Sequence, residues 1–121
     1  MHKLYNLGCR KVRLKLNPDS TGGSFETAPA DGIALIEVGI GMDEWAKVAA
    51  VAMHEALELA MCEMGLRFRP SPDYSDDNGT WLFVMDHGQF AEAIARAAYF
   101  LAAALPDIAT AYKKAKRKRK P

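Results

Sequence analysis

Three ionisable side chains stand close together in the stretch from Asp43 to Gly65: His54, Glu55 and Glu58, in the order H-E-A-L-E. On a helix, residues four apart stand one above the other. His54 and Glu58 can therefore grip one metal ion between an imidazole nitrogen and a carboxylate. Glu55, offset by one residue, is placed to act as general base on a water held by that ion. The surrounding sequence predicts the helix. Asp43 reads as the N-cap, Glu44 suits a positive first turn, and Gly65 is a natural stop. At about 100° per residue, Trp45, Ala49, Ala52, Ala56, Leu59 and Ala60 share a face. Ala50, Val51, Met53, Leu57 and Met61 carry the apolar surface nearly all round. A polar stripe of Glu44, Lys47, His54, Glu55, Glu58 and Cys62 remains, with Glu63 nearer the apolar side. A helix apolar almost all round is a buried one, so the stripe is expected to line a cleft or an interface.

The H-E-x-x-E pattern resembles the H-E-x-x-H helix of zincin metallohydrolases, with Glu58 where the second histidine stands. The resemblance covers five residues and a preceding strand. It implies a zinc site with His54 and Glu58 as ligands and Glu55 as the catalytic base. Tight zinc binding asks for a third protein ligand, and His87 is the candidate, with Asp86 beside it at a strand-to-helix junction. Each residue has a plainer role open to it. Asp86 is a good N-cap for the following helix, His87 reads equally as a polar surface residue, and Cys62 as a small buried hydrophobe rather than a soft ligand. His54, Glu55 and Glu58 read equally as interface residues satisfying polar groups. His2 lies in a terminus. No G-x-S-x-G supplies a serine nucleophile.

The 121 residues are half hydrophobic and carry a net charge of +1, which predicts one domain with its own core. The charge is unevenly placed. Lys113, Lys114, Lys116, Arg117, Lys118, Arg119 and Lys120 supply seven of the sixteen basic groups, and all fifteen acids precede them. Residues 1–112 are thus an acidic domain, and 113–121 a basic tail. Such a tail can contact nucleic acid through phosphates, fold back on its own domain, or maintain solubility. Cys9 and Cys62 are expected as free thiols in a reducing compartment. The start lacks an apolar signal core, and the run Ala97–Leu105 is short for a membrane span. The expectation is a cytoplasmic protein without a membrane partner.

Positioning the candidate residues falls to a small set of elements. Leu4, Tyr5 and Leu7 suit a brief strand. Residues 11–16 alternate strictly, with Val12, Leu14 and Leu16 inward and Arg13 and Lys15 outward, as on a sheet edge. Residues 17–23 form a turn-rich loop, and 24–27 are extended. Ile33–Ile40 is apolar on both faces apart from Glu37 and predicts a central strand. Gly39 and Gly41 then let the chain turn into the helix, without a phosphate-loop fingerprint. Leu66–Arg69 is a short strand, and Thr80–Met85 a buried one. The loop 71–79 has spaced oxygens as in a calcium loop, but its sixth and twelfth positions are Asn78 and Val84, not Gly and Glu; Asn78–Gly79 suits a hairpin turn. A helix follows from about Gln89 to Leu105 with a core stripe of Phe90, Ile94, Ala97 and Leu101. Pro106 ends it and opens a short helix into the tail.

The expected fold is α+β: a roughly four-stranded, mainly antiparallel sheet with two main helices packed on one face and a short C-terminal helix. In its lean architecture the chain is similar to small single-domain phage and prophage proteins. That likeness implies a binding or inhibitory protein acting on a host protein or nucleic-acid complex, with zinc as an optional site and a homodimer as an option. The zincin resemblance implies a minimal metallohydrolase instead, and the tail a nucleic-acid accessory protein.

Overall fold

A computed structural model of the chain describes residues 3–70 and 80–119. The loop 71–79 with its Asn78–Gly79 turn and its calcium-loop spacing, together with His2 and Lys120, lies outside the described residues.

The fold is α+β. Four strands, β1 (Leu4–Leu7), β2 (Arg10–Asn17), β3 (Gly23–Glu26) and β4 (Ala34–Gly39), form one sheet in the order β1-β2-β4-β3. β1 runs antiparallel to β2, and β3 antiparallel to β4, but β2 and β4 are parallel. The sheet is therefore mixed. β4 inserts between β2 and β3, so β2 is interior and not an edge. Arg13 and Lys15 are tolerated there because each finds an acid, Arg13 pairing with Asp31 at 2.8 Å and Lys15 with Glu37 at 3.6 Å.

The insertion explains Gly39 and Gly41. Gly39 N–H donates to Gly22 O, Ile40 N–H to Asn17 O and Gly41 N–H to Ser20 O. The end of β4 thus lies in the turn that joins β2 to β3. A Cβ on Gly39 would collide with Ser20 O, and one on Gly41 would come 2.8 Å from Pro18 O. Neither glycine has a positive φ; they are needed for close backbone approach, not for a sharp turn.

Helix α1 spans Trp45–Glu63. Its cap residue is Glu44 without a side-chain cap bond, while Asp43 pairs with Lys47 at 3.2 Å instead. Its C-terminus is as expected. Gly65 takes φ +71°, its N–H donates to Cys62 O and that of Leu66 to Met61 O, with Leu66 buried. That pair of bonds is the Schellman closure. The helix is not buried all round: Met53 is half exposed, whereas Val48, Ala52, Ala56, Leu59 and Ala60 are fully covered.

Beyond it, β5 (Arg67–Phe68) and β6 (Leu82–Phe83) form a separate two-stranded ribbon. Leu82, Phe83 and Val84 are exposed, so 80–85 is not the buried strand its apolar composition suggests. Helix α2 spans His87–Arg119 with Pro106 inside it. Asp86 caps it: Gln89 N–H donates to Asp86 Oδ1 and Asp86 N–H to Gln89 Oε1, a reciprocal capping box. The proline does not end the helix, because the buried series Ala97, Leu101, Ala104, Ile108 and Tyr112 runs through it. Core packing along that series outweighs the backbone hydrogen bond the proline removes. The expected separate C-terminal helix is thus the continuation of α2. Phe90 and Ile94, expected in the core, are exposed; Ala93 and Phe100 are buried instead.

One core joins the layers: Tyr5, Leu7, Val12, Ile36 and Val38 from the sheet meet Val48, Leu59, Phe100 and Ile108 from the helices. Leu14 and Leu16 pack against it from partly covered positions. By length and composition α2 is apolar enough to cross a membrane; one of its sides is built into this core.

Candidate functional site

Glu55 is the one buried charged side chain among the described residues, 7 % exposed. It forms no hydrogen bond or ion pair among them. Burial pushes its carboxyl pKa up; nearby His54 pulls it down, Glu58 adds to the rise and Arg67 opposes it. β3 is what covers it. A Cβ at Gly23 would come 2.6 Å from Val51 Cγ1 and 2.9 Å from Glu55 Cγ, so only glycine lets β3 lie this close on α1.

Glu58, one turn on, is fully engaged. Its Oε1 accepts from Arg67 Nη1 at 2.8 Å, and its Oε2 lies 2.9 Å from His54 Nε2. His54 itself is mostly exposed, while the Glu58 side chain is only 16 % exposed. The Arg67 guanidinium lies 3.7 Å from the Trp81 ring centroid and 5.4 Å from that of Phe25. Arg67 reaches Glu58 because the Gly65 closure reverses the chain immediately before β5.

These residues border an open cleft of about 770 Å³. It is lined by Gly23–Ala28, by Glu55 and Glu58 of α1, and by Arg67 and Trp81. β3 is the end strand of its sheet, so among the described residues its outer backbone has no strand partner. The bond from Gly39 N–H to Gly22 O fixes the alternation: Ser24 and Glu26 direct their N–H and C=O toward β4, Gly23 and Phe25 away from it. A second depression of similar volume lies by Leu14, Ile33 and Leu35, where Arg13 and Asp31 are already paired.

Of the residues singled out by spacing, His54, Glu55 and Glu58 are brought together, with ligand atoms all within 4.8 Å of one another. His87 is not part of that group. It is the exposed first residue of α2. Cys62 is partly covered and outside the group, and Cys9 is exposed; both are free thiols. Among the tail residues, Lys113, Lys114, Lys116, Arg117, Lys118 and Arg119 form the exposed end of α2. Lys116 Nζ donates to Asp43 O, and Arg119 to Ile40 O and Met42 O. The fold-back option is thereby met for two of them. Sequence reasoning missed Gly23, Arg67 and Trp81. Arg67 was legible as a cation at a strand position, but no spacing rule links it to Glu58 across a chain reversal.

Compared with protein-family models, curated proteins and solved structures, the chain matches none.

Proposed function

We propose that the protein is a binding protein that receives an extended polypeptide segment carrying a basic side chain in the cleft beside β3. The observation that carries this reading is Glu55: a largely covered carboxylate with no partner among the described residues, lining an open cleft together with the end strand β3. A buried charge without a partner is costly, and an arriving lysine or arginine cation relieves that cost. The outward N–H and C=O groups of Gly23 and Phe25, without a partner among the described residues, can pair with an incoming strand, as in recognition by strand addition. The Trp81 ring, stacked on Arg67, supplies an apolar surface in the same lining. The host protein implied by the phage-like architecture then enters as an extended segment. The reading takes both helices as lying on one face of the sheet, and the single core they share supports this. It also keeps the protein in the cytoplasm, with Cys9 and Cys62 reduced.

The test uses pools of short labelled peptides with arginine, or glutamate, fixed at the centre. Anisotropy rises for the arginine pool, falls back in Glu55→Gln, and is weaker in Trp81→Ala. No binding, or binding that ignores Glu55, overturns the reading.

A second reading is favoured by the convergence of His54, Glu55 and Glu58: a divalent cation site with zinc as its occupant. One imidazole and two carboxylates are chemically suited to zinc, so the donor set fits, with Arg67 competing for Glu58. The metallohydrolase form is less supported, because both Glu58 oxygens are engaged and His87 stands outside the group. Zinc titration of untagged protein beside His54→Ala tests it; equal zinc uptake by both sinks it. The nucleic-acid reading of Lys113 to Lys120 requires binding that strengthens steeply as salt falls and is lost on deleting the tail.

A further inference from the structure

Helix α2 has a second apolar side that its own domain does not cover. Between residues 90 and 105 its exposed positions are Phe90, Ala91, Ile94, Ala95, Ala98, Tyr99, Ala102 and Ala103, with Glu92 the only exposed charge. Glu92 is paired with Arg96 at 3.0 Å, on the side of the helix that carries Tyr99 and Ala103 and is turned away from Ile94. Phe90 is 44 %, Ile94 43 % and the neighbouring Met53 of α1 53 % exposed. Between Met53 and Ile94 runs an apolar groove of about 450 Å³, floored by Ala97 and Leu101.

We infer that this face binds a second copy of the same chain through an antiparallel pairing of α2 with its counterpart. Shape is the reason. Phe90, Ile94, Ala98 and Ala102 follow one another at four-residue steps, which makes them one ridge. The ridge is large, large, small, small. A two-fold axis midway between Ile94 and Ala98 sets Phe90 of each copy over Ala102 of the other, and Ile94 over Ala98. A self-complementary patch is what a two-fold interface demands, since each residue meets the one that meets it. A heterologous partner would place no such requirement on the order of sizes along the ridge. Size agrees. The exposed parts of Phe90, Ile94 and Met53 with the alanines amount to on the order of 500 Å² of apolar surface, the scale of a functional patch. Two copies together then bury roughly 1,000 Å², at the threshold for a specific interface. A membrane is a poorer occupant, because Ala93 and Phe100, on the side of α2 turned away from the ridge, are fully buried in the core.

The experiment is sedimentation of the full chain over a concentration series, beside Ile94→Lys and Ala98→Glu. Both positions are exposed, and circular dichroism checks that each variant folds. The wild type is expected to be a dimer at micromolar concentration, and each variant a monomer, with dissociation raised at least tenfold. Register is tested in a Cys9→Ser background. Mixing Ile94→Cys protein with Ala98→Cys protein is expected to give a crosslinked pair that neither gives alone. A wild-type monomer at high micromolar concentration overturns the inference. So does a dimer unmoved by both substitutions, or crosslinking by either variant alone as efficient as by the mixture. Folded wild type that stays monomeric and binds neutral vesicles through Ile94 replaces the second copy with a membrane surface.

Discussion

Arg67 and Glu58 meet at 2.8 Å although one sits on a strand and the other on a helix. Their side chains are 21 % and 16 % exposed, so the pair is largely withdrawn from water, and the Trp81 ring covers the guanidinium. Truncation of Arg67 leaves Glu58 without its main counter-charge beside Glu55. Arg67→Ala is expected to cost about 2 kcal/mol, the scale for orphaning a covered charged group, measured by urea denaturation. Arg67→Lys should recover less than half of this, since an ammonium neither stacks flat on Trp81 nor presents the guanidinium fork.

Glu55 works against stability at neutral pH. Its pKa is raised by burial, so the native state holds the proton more tightly than the unfolded chain. The contribution of Glu55 to stability is therefore greatest below the ordinary glutamate range, and falls as pH rises through the window from about pH 4 up to the raised folded value. Glu55→Gln removes that loss. The variant should match the wild type in acid and exceed it at neutral pH, read as the difference between their denaturation midpoints across a pH series. A variant less stable than wild type at neutral pH would mean that Glu55 has a stabilising partner.

Gly23 sets how closely β3 lies on α1. Gly23→Val forces a contact with Val51 and Glu55 that no real Cβ shows, and lifting the strand is the available relief. The expected cost is about 2 kcal/mol, as for overpacking, accompanied by a fall of the Glu55 pKa as water reaches it. Carboxyl titration by carbon NMR compares the variant with the wild type. An unchanged pKa would contradict the placement of β3 as the cover.

The last turn of α2 is tied to the chain ahead of α1. Arg119 donates to Ile40 O and Met42 O, and basic side chains also suit a helix C-terminus. Arg119→Ala should lower global stability by no more than about 1 kcal/mol, yet speed hydrogen exchange several-fold across 113–119. Exchange that is already as fast in wild type as in an unfolded peptide would contradict the anchoring.

Much of the fold was legible because it follows local rules. The two-residue alternation of 11–16, the doubly apolar run 33–40, the Gly65 stop and the Asp86 cap each appear at or near the expected position. The long-range choices were not legible. Whether β4 lies beside or between β2 and β3 depends on Gly39 and Gly41 meeting the 17–22 turn, which no periodicity encodes. Phe90 and Ile94 have a core-like spacing, but the side of α2 that is buried runs through Ala93, Ala97, Phe100 and Ala104 instead. Pro106 reads as a stop locally and is overridden by packing on either side of it. In the site, the i,i+4 geometry of His54 and Glu58 was visible from spacing; the commitment of Glu58 to Arg67 was not, because it depends on a chain reversal.

The most direct measurement for the cleft is an amide NMR titration of the nitrogen-labelled protein with the arginine-centred peptide pool. The account predicts shifts at the Gly23 and Phe25 amides and at the Trp81 indole, absent with the glutamate-centred pool and lost in Glu55→Gln. Silence at those three signals, or shifts that survive Glu55→Gln unchanged, would contradict it.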